Sequence, residues 1–372
     1  MEMDETRECV SEKKTVVVVG GGVAGALLAK LIQNYVHVTL IDPKEYFEMP
    51  WANLRSKIEP MVAERSLMNH SAYLTNGEII ESWAKNLTEA EVLTSDGHIV
   101  PYDYLVIASG HVVNLPRSRR SRLDQFQQDN ARIKSARSIL IIGGGPTGVE
   151  LAGEIASESP EKNISLVHSG PRLLDFIGQK SSRKALQWLQ SKKVQVFLNQ
   201  SIDLQALEEA KGEYETSAGK RISADLHLVC VDRPMGSEWL QESFLNDQVD
   251  ESGRLKVDDN LRVVGHKNIF AIGDITNVPE LKQGFSAQQH AMVVAKNLKI
   301  LTRKGKEKRL NKYRPLPKMA VFSMGKKNAL KQGVIKSRDL FLFKTRRLMG
   351  LDRHSKRSVT SASDEISEGL AD

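Results

Sequence analysis

Residues 15–42, TVVVVGGGVAGALLAKLIQNYVHVTLID, decide the fold. Val16 to Val19 form an unbroken β-branched run, the pattern of a strand buried on both faces of a parallel sheet. Gly20, Gly22 and Gly25 follow in G-x-G-x-x-G spacing. The first glycine allows a tight turn, the second lets a phosphate approach the backbone, and the third lets helix and strand pack closely. A helix through Ala26, Leu28 and Ile32 then points its positive N-terminus at that phosphate. The next strand ends in Asp42, about twenty residues on, where a carboxylate accepts ribose hydroxyls. Strand, glycine turn, helix and terminal acid together specify a dinucleotide site.

The pattern returns at Ser138–Glu158, SILIIGGGPTGVELAGEIASE. Gly143, Gly145 and Gly148 repeat the spacing after the apolar strand Ile139–Ile142. Two fingerprints in one chain point to two separate dinucleotides. The copies differ where the second strand ends. His168 stands where the first copy has Asp42, so selection of NADH through ribose hydroxyls is weakened. His168 and Arg172 can accommodate the 2′-phosphate of NADPH, and use of either nicotinamide is expected. Glu150, two residues beyond Gly148, has two readings. It can accept from a nicotinamide carboxamide, or it can be a helix-N-terminal acid stabilised by the macrodipole.

Between the two fingerprints, Glu78–Trp83 and Glu91–Tyr104 read as an antiparallel meander with turns at Asn76-Gly77 and Asp96-Gly97. Leu105–Ala108 reads as a returning buried strand. Arg55 lies in the connector after Asp42 and can reach a phosphate or a carboxylate. Pro116–Arg137 reads as an Arg-rich helix with a solvated charged face. Further on, Ile269–Ile272 is a short buried strand ending at Gly273-Asp274. There Asp274 can meet a flavin's ribityl hydroxyls. A helix over Ser286–Leu301 follows.

Composition sets outer limits. The chain has 372 residues, 40% apolar and 27% charged, with a net charge of +7. That is ordinary for a globular chain of two or three domains. No apolar run approaches the roughly eighteen residues of a membrane span. The polar opening MEMDETRECVSEKK resembles neither a signal nor a transit peptide, and Gly is not the second residue, as N-myristoylation requires. A cytoplasmic location is expected. Cys9 and Cys230 are the two cysteines, far apart and in no C-x-x-C arrangement. A disulfide framework, a structural zinc and a redox-active cysteine pair beside a flavin are therefore not expected.

With these motifs in order, the chain resembles the two-dinucleotide-binding flavoproteins of glutathione-reductase fold. Within them it is most similar to the apoptosis-inducing-factor-2-like branch of ferroptosis-suppressor type, including its plant homologs. The resemblance rests on VVVVGGGVAGALLAK, NLRS around Arg55, YDYLVIASG, IIGGGPTGVELAGEI, LVHSG, GHKNIFAIGDI and KSRDLF near Lys336. It spans about Thr15 to Phe341. It implies an α/β fold of two Rossmann-like domains with a small C-terminal α+β segment. The expected division is an FAD domain over 13–115 and 246–302, an NAD(P)H domain over 116–245, a C-terminal domain over 303–350 and a disordered tail over 351–372.

By resemblance, FAD is held by Gly20, Gly21, Gly22, Val23 and Ala24, by Arg55, by the backbone of Ile79 and by Asp274. NADH or NADPH lies on Gly143–Gly148 with Glu150 beside its reactive end. Lys336 and Phe341 sit near the flavin and its acceptor. Val231-Asp232 stands where the family has Thr-Gly, replacing a glycine turn with residues that carry side chains.

The expected activity is hydride transfer from NAD(P)H to FAD, then electron transfer to a non-disulfide acceptor, with a quinone preferred. The basic C-terminal stretches suit peripheral contact with an anionic membrane. One alternative is a soluble acceptor, such as a small radical or an electron-transfer protein. Another is a cell-death or signalling binding protein with little turnover. Nucleic acid is not an expected partner, because basic runs near a chain's end are ordinarily solvated.

Overall fold

In the computed structural model, described residues are 13–112, 114–303, 305–316, 320–323 and 329–332, the last two segments through their backbone alone. The described residues all belong to one compact unit. It contains two parallel sheets. The first has the strand order Ile269–Ala271, Tyr104–Ile107, Thr15–Val19, His37–Ile41, Glu78–Ile80. The second has the order Gln195–Leu198, Asn163–His168, Ser138–Ile142, Leu226–Val229. In each, the strand that opens a glycine fingerprint is central, so both its faces are covered. Val16, Val17 and Val18 are fully buried, as are Leu140 and Ile141. That burial explains the unbroken apolar runs.

After the first glycine turn, helix Val23–Ile32 packs against helix Gly284–Thr302, which returns from far along the chain to cover the same sheet. The second glycine turn leads into helix Pro146–Glu158, whose apolar residues Val149, Leu151, Ala152 and Ile155 enter the second core. The chain leaves the first sheet and later comes back to it side by side. Val112 N–H donates to Pro234 O (2.9 Å), Gly236 N–H donates to Gly110 O (2.7 Å), and His111 bridges Met235.

Two expectations need correction. Glu78–Ile80 is not part of the meander; it is the edge strand of the first parallel sheet, with Ile79 level with Leu40. The meander is Ala84–Leu87, Glu91–Thr94 and Ile99–Pro101. A three-residue strand carries too little alternation to reveal which sheet it joins. The Arg-rich segment is a helix, Arg119–Ser135, but not all its charges are solvated. Arg122 is buried, its Nε and Nη2 donating to the two oxygens of Glu48 (2.9 and 2.8 Å), with the guanidinium over the Phe126 ring. A bidentate pair of this kind is how an arginine is tolerated inside.

An antiparallel hairpin, Ala320–Ser323 with Ala329–Gln332, follows beside helices Pro146–Glu158 and Gln179–Ser191. Lys336 and Phe341 lie outside the described residues. No helix among the described residues is long and apolar enough to cross a membrane.

The helix-on-strand contact leaves no room for a side chain. A Cβ added at Gly148 would fall closer than 3.0 Å to Gly143 O, whereas one added at Gly145 would meet nothing within 4 Å. Gly148→Ala is therefore expected to destabilise the fold by about 1–3 kcal/mol through overpacking. Gly145→Ala should leave the thermal midpoint nearly unchanged while weakening nucleotide binding. Calorimetric melting of the two variants checks the contrast.

Candidate functional site

Both glycine turns are built the same way. Gly20 and Gly143 lie in the left-handed region, at φ of 105° and 116°. A side chain there would strike the backbone of Ala108 or Cys230 on the neighbouring strand's exit. The middle glycine is then tied down. Gly21 N–H donates to Asp42 Oδ2 (2.5 Å), and Gly144 N–H donates to His168 Nδ1 (3.1 Å). The third glycine of each triplet, Gly22 or Gly145, caps its helix in extended backbone with open space beside it. The first helical N–H groups lack intrahelical partners. Each turn is thus a cradle that a dinucleotide pyrophosphate fits.

Asp42 does more than await a ribose. Its Oδ1 accepts from both Lys44 N–H and Lys44 Nζ (2.8 Å each), and the carboxylate is buried. Burial acts to raise its pKa. Lys44, with the His70 ring behind it, outweighs that and holds the carboxyl well below the ordinary Asp range. Three of the roughly four lone-pair positions of a carboxylate are used by the protein, leaving one on Oδ2 for a ribose hydroxyl. His168 plays the matching structural part with a ring nitrogen. Since Nδ1 accepts from Gly144, the ring's own proton sits on Nε2 when it is neutral.

Arg55 meets carboxylates instead of open space. Its Nε and Nη2 donate to the two oxygens of Glu59 (3.2 and 2.7 Å), and its Nη1 donates to Glu154 Oε2. Glu154 is buried in helix Pro146–Glu158, whereas Arg55 lies in helix Pro50–Ile58. The pair ties helix Pro50–Ile58 to helix Pro146–Glu158. Burial opposes the charge on Arg55, and the hydrogen bonds to Glu59 and Glu154 overcome it to raise the guanidinium's pKa. Glu150, one turn before Glu154, is half-buried.

Gly273-Asp274 follows the strand Ile269–Ala271 in a short 3-10 turn, with Asp274 Oδ2 3.3 Å from His111 Nδ1. Ile79, by contrast, contributes edge-strand backbone beside Leu40. Gly20–Gly25, Asp42, Ile79 and Asp274 all belong to the first parallel sheet or its exits, and Gly143–Gly148 and His168 to the second.

Residues 14–292 match the pyridine nucleotide-disulphide oxidoreductase family. The chain belongs to that family. It is 31% identical to apoptosis-inducing factor homolog A of Dictyostelium discoideum, covering 88% of this chain and 86% of that one. Ferroptosis suppressor protein 1 of Homo sapiens is 29% identical, with 88% and 93% covered. Among solved structures, the sulfide:quinone oxidoreductase from Aquifex aeolicus superposes with a TM-score of 0.70 at 21% identity, covering 90% of this chain and 92% of that one. As a pyridine nucleotide-disulphide oxidoreductase of the apoptosis-inducing-factor-homolog type, this α/β flavoprotein uses FAD and a nicotinamide dinucleotide.

The family name carries a disulfide, and among the described residues Cys230 has no second cysteine to form one with. Cys230 is a free thiol whose pKa burial pushes up to about 11. At neutral pH it is protonated and a poor nucleophile. Val231 and Asp232 are exposed, and neither lies in the left-handed region. The missing glycine therefore strains nothing.

Sequence reading missed a buried network behind the Gly273 turn. Gly273 N–H donates to His290 Nδ1 (3.0 Å), and His290 Nε2 lies 3.0 Å from Glu280 Oε1. Tyr313 O–H and Leu316 N–H donate to Glu280 Oε2 (2.6 and 3.0 Å). Four residues spread over 280–316 carry no motif spacing. The only trace was a histidine on the first turns of a buried helix. Burial acts to raise the Glu280 pKa, but His290, the Leu316 N–H and Tyr313 prevail and lower it.

Two outcomes follow from these pairs. A folded pKa below the ordinary 4.5 means that Glu280 stabilises the fold above that pH and loses its contribution as pH falls through the folded value. Glu280→Gln should therefore flatten the acid limb of a stability–pH profile measured by denaturant titration. Arg55→Met leaves Glu154 buried beside an apolar chain. It should cost about 2–3 kcal/mol, the lower end for a broken buried pair because Arg55 keeps some solvent. Adding Glu154→Leu should recover most of that loss.

Proposed function

We propose that the protein is an FAD-dependent NAD(P)H:quinone oxidoreductase. The observation that carries this reading is the pairing of two dinucleotide cradles in a sequence whose two cysteines, Cys9 and Cys230, stand far apart and in no C-x-x-C arrangement. FAD lies on Gly20–Gly25 in a unit formed by 13–115 and 246–302, and the nicotinamide dinucleotide lies on Gly143–Gly148 in a unit formed by 116–245. When bound, the flavin takes hydride from the nicotinamide and releases electrons singly or in pairs.

The chain's own part is to bind and orient. The Gly22 cradle and the helix Val23–Ile32 receive the FAD pyrophosphate, Asp42 keeps the turn in shape, and Asp274 meets the ribityl chain. Glu150 lies on the first helical turns after the second cradle, and its carboxylate can hold a nicotinamide carboxamide in register with the flavin. The Arg55–Glu154 bridge keeps the two helices at a fixed separation, so that the two cofactors stay within hydride-transfer range. Lys336 and Phe341 are proposed to line the acceptor side, the lysine donating to a reduced quinone oxygen.

A quinone is favoured over a disulfide because Cys230 is a buried, protonated thiol and no second cysteine stands beside it among the described residues. The sulfide:quinone oxidoreductase and ferroptosis suppressor relatives support a non-thiol acceptor. Basic stretches of the C-terminal seventy residues suit peripheral contact with an anionic membrane, where a lipid quinone is dissolved.

The deciding measurement is the absorbance spectrum of the purified protein under anaerobic titration. A flavin band near ~450 nm should bleach with NADH or NADPH and return with a short-chain quinone faster than with a disulfide or a soluble radical acceptor. A flavin that reoxidises only with the soluble acceptor overturns the quinone assignment. A flavin that neither nicotinamide reduces overturns the enzyme assignment. Separately, His168→Asp should lower kcat/KM for NADPH at least roughly tenfold more than for NADH, since a carboxylate there would face the 2′-phosphate.

A further inference from the structure

The turn at Gly273 sits against the first turns of two helices. Gly273 lies in the left-handed region at φ of 78°, and a Cβ there would meet the Cβ atoms of Ala24 and Ala287 at 3.3 and 3.8 Å. Ala24 belongs to the first turn of helix Val23–Ile32, Ala287 to that of helix Gly284–Thr302. Gly273 is buried, so its backbone groups depend on protein partners. Its carbonyl accepts from the Thr276 hydroxyl (2.9 Å), and its N–H donates to His290 Nδ1 (3.0 Å). Asp274 follows, its side chain 32% exposed and therefore open to a ligand.

The bond from Gly273 to His290 exists for one tautomer alone. Nδ1 accepts, so the neutral ring carries its proton on Nε2. That nitrogen is 3.0 Å from Glu280 Oε1, and both side chains are 1% exposed. An ionised carboxylate only accepts, so it favours the tautomer protonated at Nε2 and leaves Nδ1 to Gly273. The other carboxylate oxygen is held by its own donors, Tyr313 O–H (2.6 Å) and Leu316 N–H (3.0 Å). Tyr313 also stands edge-on to the imidazole, with 4.3 Å between ring centroids.

We propose that Glu280 and His290 are positioning residues for the flavin: the carboxylate fixes the imidazole tautomer that holds the Gly273 N–H, and with it the turn that presents Asp274. This rests on the reading that FAD occupies the first cradle and meets Asp274. Residues 313–316 belong to the same arrangement, because they supply the two donors that orient Glu280.

Glu280→Gln tests the tautomer while keeping the shape. Leu316 N–H can only donate, so the amide oxygen must take the Oε2 position and the amide NH₂ must face His290 Nε2. The ring then accepts at Nε2 and carries its proton on Nδ1, opposed to the Gly273 N–H. His290→Asn supplies an acceptor that no tautomer removes, since Asn Oδ1 stands as many bonds from Cβ as His Nδ1 does.

The readout is release of FAD from diluted holoprotein, followed by flavin fluorescence. Glu280→Gln should release FAD at least roughly tenfold faster than wild type, the effect of one buried N–H left facing a donor. The double variant Glu280→Gln/His290→Asn should return to within about threefold of wild type, a coupling that a double-mutant cycle isolates. A merely structural role predicts the reverse, because removing the ring as well as the carboxylate would speed release further. His290→Asn against His290→Leu makes the same comparison with Glu280 intact: the first should retain FAD and the second, which has no acceptor, should lose it.

Reduction by NADH on the same samples separates this role from the reading beneath it. FAD that NADH reduces, yet that leaves Glu280→Gln at the wild-type rate, overturns the positioning role alone. So does a double variant no better than Glu280→Gln, or equal release from His290→Asn and His290→Leu. Protein that carries no FAD overturns both.

Discussion

The architecture depends on a clearance of almost nothing between a glycine and the backbone oxygen it crosses. Where Gly25 passes Gly20, and where Gly148 passes Gly143, a Cβ would lie closer than 3.0 Å to the carbonyl oxygen. Close approach lets the helix begin directly over the strand's end, which aligns its free N–H groups with the phosphate position. Everything placed by that helix inherits the geometry. Glu150 and Glu154 owe their positions to helix Pro146–Glu158, and the first cradle's helix supports Gly284–Thr302, whose His290 reaches back to Gly273.

Much of this was legible because it is local. The fingerprint glycines, the central buried strands and the two terminal residues Asp42 and His168 are fixed by spacing within about thirty residues, which is the length of a βαβ unit. What escaped reading was non-local. Arg55 was legible as an anion-seeking group, but its partner Glu154 lies 99 residues away, and no spacing predicts that meeting. Arg122 looked solvated because a charged helix has no apolar stripe strong enough to mark its buried face, and Glu48 is 74 residues distant. The edge strand Glu78–Ile80 was assigned to the wrong sheet for a related reason: three residues cannot display a period.

The two strand-end residues show how one structural task leaves room for chemical difference. Asp42 and His168 both accept the N–H of the middle glycine, so either residue type keeps the turn in shape. The requirement is an acceptor, not a charge. In the first copy the acceptor is a carboxylate, and Lys44 partly neutralises it through two bonds to the same oxygen. In the second the acceptor is a ring nitrogen.

What a ribose would meet at each strand end is what remains of that acceptor after the turn has used it. Asp42 retains one lone pair and a negative charge, which a ribose hydroxyl satisfies and a phosphate does not. His168 has only its Nε2 left, and that atom is buried without a partner against Gly170. It neither attracts a hydroxyl as a carboxylate would nor repels a 2′-phosphate. A turn-holding residue that cannot discriminate leaves the choice between NADH and NADPH to groups farther from the turn. Arg172 is already engaged there, donating to the carbonyls of Ile177 and Asp175. With that guanidinium committed to its own loop, the strand end that carries His168 offers neither the carboxylate of the first copy nor a free arginine fork.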